Sequence, residues 1–476
     1  MKKVKIPSTA PLAYLKAAAE AAKSTLGKPD LLPVNVGGSG YFPYWHRTEN
    51  NYLYLRTWEY INQNVTEGPD KGDDNGFMEF GDPLANDYVG YLDALGYRMS
   101  DEDKRRMREA QEQVKETGTE LVRAYEGIYR EITQQQMETA HVDTKIDYIA
   151  SYKLVHEWAG QKGLQLDRKV LQDLERHLPD CPASAKPLIP IIARYLTGLL
   201  PVSGLINTGF AKESLLSNLR YNTKNPSKDN GGVLTEDDKL NQAYHVGFTV
   251  NDEPAAIHEA LQADKGFTVR MDFSNFQETT VDLKIEGQAG GSVSVLGVIG
   301  IEAEGSVNYS LHELNSQRVD CTVEVEYKGV TAVHMKPTPY SQDTQAGWYE
   351  SAPIVDALKN GKNPQDSGWV LSPYPSAGLG VLQCLAVSRF PSIKIKYESG
   401  SMSKKTEELR HQASVGISLF GIRLGGGGYD YKCTKVEEHG ENQGFTIEFQ
   451  TPTTITGNPL DRRAYVIACG VDEFRP

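Results

Sequence analysis

From Val281 to Leu311 every odd-numbered position is apolar or glycine, and nearly every even-numbered one is polar. The odd series runs Val281, Leu283, Ile285, through Gly287 to Gly297, then Ile299, Ile301, Ala303, Gly305, Val307, Tyr309 and Leu311. Side chains of an extended strand alternate between two faces, so this pattern prescribes β-structure with one wet and one apolar side. Strands usually run about five or six residues. The segment is therefore read as two long strands meeting at a tip, Val295, Leu296, Val298, Ile299 and Ile301, where both faces turn apolar. The polar face carries Asp282, Lys284, Glu286, Glu302 and Glu304.

The pattern is confined to one part of the chain. Before about residue 220, apolar spacing is helical: Leu12, Leu15, Ala18, Ala19 and Ala22 share a side, and Ser100-Asp101-Glu102-Asp103 opens a long helix with acids in its first turn. Further helical pieces fit 144–159 and 168–178. Pro187–Phe210 is the most hydrophobic window, but its three prolines and Arg194 make it a buried helix followed by a loop. Residues 221–242 are polar and read as a linker. The expected fold is α+β, with a mainly helical domain 1–220 and a β-rich domain 243–476, an antiparallel sandwich with long hairpins.

A shift of 122 residues partly overlays the β-rich half on itself, with Met271 and Phe273 on Ile393 and Ile395, and Val323 and Val325 on Phe445 and Ile447. This points to a duplication of 265–330 in 387–452. A second amphipathic hairpin, 413–433, then carries a tip at Leu419, Phe420 and Ile422. Trp369, the run Ser372-Pro373-Tyr374-Pro375-Ser376-Ala377, the strand Ser392–Ile395 and the Ser/Gly strand Ala413–Ser418 together resemble a set of β-rich bacterial and fungal proteins of unassigned role. That resemblance implies a β-rich C-terminal part and no function.

Chemistry is sparse. The five cysteines are scattered without a C-x-x-C, which argues against a disulfide framework or zinc site and favours a reducing compartment. A net charge of −13 argues against general nucleic-acid binding. There is no G-x-S-x-G, H-E-x-x-H, P-loop or G-x-G-x-x-G. Asp70, Asp73 and Asp74 form a weak metal candidate, because an EF-hand register would put Lys71 at the first ligand position. The aromatic run Tyr41–Tyr60 could stack on sugars, though core packing is its plainer use. No cofactor is expected. The basic start, Met1–Lys5, has no apolar segment behind it and is not a secretory signal, so synthesis in the cytoplasm is expected, with any release by lysis or a non-classical route.

The resulting expectation is a non-enzymatic homo-oligomer. Its hairpins 281–311 and 413–433 would act on membrane lipid as a pore, since a transmembrane strand needs about 9–11 alternating residues. Two such hairpins resemble the perforin-like arrangement in outline. The alternatives are a self-assembling shell, filament or appendage subunit and, further off, a carbohydrate-binding protein or enzyme.

Overall fold

A computed structural model describes the chain outside residues 1–8, 36–40, 68–76, 151–187, 278–279, 288–290, 295–297, 304–306, 316, 318, 361–366, 374, 377, 425–430, 441–442, 452–461 and 476. The fold is α+β, with helices concentrated in the first half and strands in the second. Two compact units divide the chain. The first takes Met1–Ala94, Asn218–Leu358 and Leu371–Pro476, and the second takes Leu95–Ser217 and Lys359–Val370.

The helices are α1 (Thr9–Leu26), α2 (Leu55–Ile61), α3 (Leu84–Ala94), α4 (Asp101–Tyr129), α5 (Gln134–Thr139), α6 (Lys145–Ala150), α7 (Leu188–Lys224), α8 (Pro254–Gln262), α9 (Ala352–Asn360) and α10 (Lys404–Arg410). The first strands are β1 (Leu32–Asn35), β2 (Tyr41–Phe42), β3 (Leu53–Tyr54), β4 (Gln63–Glu67), β5 (Met78–Pro83), β6 (Leu95–Arg98), β7 (Val233–Glu236), β8 (Gln242–His245) and β9 (Thr249–Val250). Then come β10 (Gly266–Ser274), β11 (Thr280–Ile285), β12 (Gly291–Ser294), β13 (Ile299–Ala303), β14 (Val307–Ser310), β15 (Cys321–Lys328), β16 (Thr331–Lys336) and β17 (Gly368–Leu371). The last are β18 (Leu379–Ser388), β19 (Ser392–Tyr397), β20 (Val415–Leu419), β21 (Ile422–Arg423), β22 (Lys432–Glu438), β23 (Phe445–Gln450) and β24 (Ala464–Phe474). Residues 221–242, expected to be a bare linker, hold the end of α7 and the strand β7, whose Thr235 and Glu236 are buried. The helical reading of 168–178 falls outside the described residues.

Two large sheets build the first unit. One runs β4-β5-β1-β24-β18-β16-β9, with β2 also on β24. Its central strands β18 and β24 are buried along most of both faces, so their sequences are continuous apolar runs rather than alternating ones. The other is antiparallel, β12-β11-β10-β15-β19-β23-β22. Here alternation is strict: β11 and β19 both bury every second residue and expose the charged ones between. A four-stranded sheet, β14-β13-β20-β21, packs into the same core.

Helix α1 lies between the two large sheets, touching β1 and β24 of one and β10 and β11 of the other. Its small residues explain the fit. Ala18, Ala19 and Ala22 are almost wholly buried and let the backbone approach the sheets closely, while Tyr14 reaches across to share a hydroxyl hydrogen bond with Tyr327 on β15. Burial pushes both of these phenols far above their ordinary range. Gly27, at positive φ, ends the helix, and the amides of Gly27 and Lys28 both donate to the Lys23 carbonyl.

The proposed duplication has a partial structural counterpart. The pairs β10–β15 and β19–β23 are both antiparallel. However, Met271 faces Val323, whereas Ile393 faces Phe449 rather than Phe445, the residue that a 122-residue shift would place there. Likewise β12 pairs with β11, but the matching β20 pairs with β13 and β21.

Candidate functional site

The amphipathic segment 281–311 is not two long arms. It folds as two successive hairpins, β11–β12 at the edge of the seven-stranded sheet and β13–β14 in the small sheet. Its apolar face lies in the core of the same chain: Val281, Leu283, Ile285, Val298, Ile299, Ile301, Ala303, Tyr309 and Leu311 are all buried. Thus Val298, Ile299 and Ile301 are core residues, while Val295 and Leu296 lie outside the described residues. The second expected tip behaves similarly. Leu419 and Phe420 are buried, Ile422 is half-buried, and the Phe420 amide donates to the Val298 carbonyl at 2.9 Å. Phe420 and Gly421 both take positive φ, as the tight two-residue turn between β20 and β21 requires. The two expected tips are therefore brought together, against each other and inside the unit.

The polar face is open. Asp282, Lys284, Glu286 and Glu302 are exposed; Glu304 lies outside the described residues. The register extends this face into a ladder of alternating sign: Arg270 opposite Glu324, Glu324 opposite Lys394, Lys394 opposite Glu448, Glu448 opposite Lys435. Opposite charges directly across a strand pair stabilise by roughly 0.2–1 kcal/mol each, so this row suits a face turned to water.

The two edges of that sheet differ. The outer strand β22 carries Lys432, Lys435, Glu437 and Glu438, with a bulge between Cys433 and Lys435, and both devices discourage further pairing. The outer strand β12, Gly-Ser-Val-Ser, has neither, and the sequence holds no charge between Glu286 and Glu302. Among the described residues β12 pairs only with β11.

One polar network in the first unit has the ingredients of a reactive centre. Lys28 donates from Nζ to His334 Nε2 at 2.7 Å, and His334 Nδ1 donates to Asp252 Oδ2 at 3.0 Å. The His334 amide also donates to Asp252 at 2.6 Å, and Cys384 stands directly across from His334 between β16 and β18. Sequence spacing could not assemble these four residues. Yet both ring nitrogens of His334 are engaged, leaving no lone pair for a thiol proton, and burial raises the Cys384 pKa despite the nearby Lys28. The network ties the end of α1 to β16 and to the turn before α8.

The aromatic run is partly core: Tyr41, Trp45, Tyr52, Tyr54, Trp58 and Tyr60 are half-buried. Phe42 and Tyr44 are buried, Tyr44 shares a hydrogen bond with His258 Nδ1 at 2.8 Å, and Trp58 lies tilted against His245 with ring centres 4.4 Å apart. His46, only 1% exposed, donates from Nε2 to the Asp252 carbonyl at 2.7 Å, and burial lowers its pKa to about 4.

Asp70, Asp73 and Asp74 lie outside the described residues. Among those described, no group of three or more histidine, cysteine or acidic side chains could hold a metal, and no helix is long and apolar enough to cross a membrane. Comparison of the chain with protein-family models, with curated proteins and with solved structures found no match.

Proposed function

We propose that this chain is a non-enzymatic, self-associating β-protein whose copies join through the β12 edge of the seven-stranded sheet. The supporting observation is the contrast between the two edges: β22 is bulged and charged, whereas β12 is short, uncharged and without a second neighbour among the described residues. An unprotected edge is a template for main-chain pairing. Pairing with the same strand of a second copy obeys twofold symmetry and continues the sheet across the joint. A twofold joint of this kind closes at the dimer, and growth into a shell or filament would use a second surface.

The test is Ser292→Lys. Ser292 faces Asp282 across β11–β12, so a lysine there keeps an internal ionic partner but sets charge against charge at a twofold joint. Sedimentation velocity over a concentration series should show the wild-type chain associating and the folded variant monomeric. A wild-type chain that stays monomeric, or a variant that associates equally well, overturns the reading.

A membrane-acting form is the second reading, favoured by glycines 287, 290, 291 and 297 and 425–428 around the two hairpins. Lipid would have to replace the core now covering these strands, where each buried aliphatic side chain contributes about 1.5–3 kcal/mol. Release of a trapped dye from anionic vesicles measures it directly.

A further inference from the structure

The second unit contains a feature that the self-association reading does not use. Along one side of α4, facing α6 and α7, lies a groove of about 440 Å3, within the 300–1,000 Å3 range of small-molecule sites. Its floor is apolar: Val114, Val122, Ile146 and Tyr195. Gly118 makes that floor possible, because a Cβ there would sit 3.3 Å from the Tyr195 ring, closer than side chains normally pack.

The rim has a definite charge. Glu126 is already spent, holding Lys145 Nζ at 2.7 Å and the Ile132 amide at 3.1 Å. Lys115 and Arg123 line the groove two helical turns apart, both exposed, and neither has a carboxylate partner among the described residues. Nearer the start of α4 three of its four cations are paired, Lys104 with Asp101, and Arg105 and Arg106 with Glu102, while Arg108 has no carboxylate partner among the described residues. A strip of apolar surface flanked by two unspent cations is complementary to a molecule with one apolar chain and one anionic end.

We propose that this groove binds a single-chain anionic amphiphile, with its carboxylate or phosphate held at one end by Lys115 or Arg123 and its chain running along Val114, Val122 and Tyr195. The test is calorimetric titration of the full chain with dodecanoate and with dodecyl phosphate, both below micelle formation, against dodecanol and dodecyltrimethylammonium. Dodecanoate or dodecyl phosphate should bind at one site, at least tenfold tighter than dodecanol, and the cationic amphiphile should not bind. The variant Lys115→Glu/Arg123→Glu, whose changes are on exposed positions and whose fold circular dichroism can verify, should lose that tenfold preference. Absence of binding by either anion, equal binding of dodecanol, or an anion preference that survives in the double variant would each overturn the proposal.

Discussion

A single side chain decides what Val298 is for. It is 2% exposed, and its carbonyl accepts from the Phe420 amide where the two hairpins meet. Val298→Asp should therefore destabilise the folded chain by about 3 kcal/mol or more, since an unpaired carboxylate would be placed in an apolar core. Urea unfolding measures that loss; a variant as stable as the parent would put the side chain on the surface instead. His46 has a different consequence. Its folded pKa of about 4 lies below the ordinary 6.5, because burial outweighs the Asp252 carbonyl and the fields of Asp252 and Glu253, while Arg47 pushes in the same direction as burial. The unfolded chain thus takes the proton first. The stability held by neutral His46 is complete above about pH 6.5, declines as pH falls towards 4, and totals on the order of 3 kcal/mol. In unfolding experiments between pH 7 and 4, His46→Gln should flatten this decline, the amide being able to keep the bond to Asp252 without titrating.

At the level of strands and hairpins, the sequence carried the faces but not the folds. In β11–β12 Val281 faces Val293 and Leu283 faces Gly291; in β13–β14 Ile301 faces Tyr309 and Ala303 faces Val307. Each pair joins two odd-numbered residues. A hairpin with that register returns the apolar side to the same face, so odd–even alternation passes through the turn unbroken. One long ribbon and a run of short hairpins therefore write the same pattern, and the glycines at 287, 290, 291, 297 and 305 were the local hints of turns. Wet and dry positions were legible: Asp282, Lys284, Glu286 and Glu302 are exposed, as alternation predicts. What continues the dry face sideways was not, because its neighbours in the sheet include Val415 and Ile417 from a strand more than a hundred residues away. The Lys28–His334–Asp252 network was illegible for the same reason. Its members come from three separate segments, and no local spacing announces them. The contrast between β12 and β22 is visible only once the sheet order shows which strands are outermost.

Across the molecule, the first unit gathers both large sheets and α1 around one extensive apolar cluster, with β18 and β24 buried along most of their length, whereas the long helix α4 of the second buries only Ala110, Thr117, Gly118, Leu121 and Tyr125 among the described residues. Opening free energy follows buried apolar contact. Hydrogen exchange should show α4 amides exchanging well before those of β18 and β24; simultaneous exchange of both would mean that the units open as one. The position of α1 adds a consequence for biosynthesis. This early helix is clasped by β10, β11 and β24, and its tyrosine is tethered to β15. A ribosome must therefore deliver the chain through β24 before the helix finds its full berth, and until then its alanine-lined flank is left for chaperones to shield.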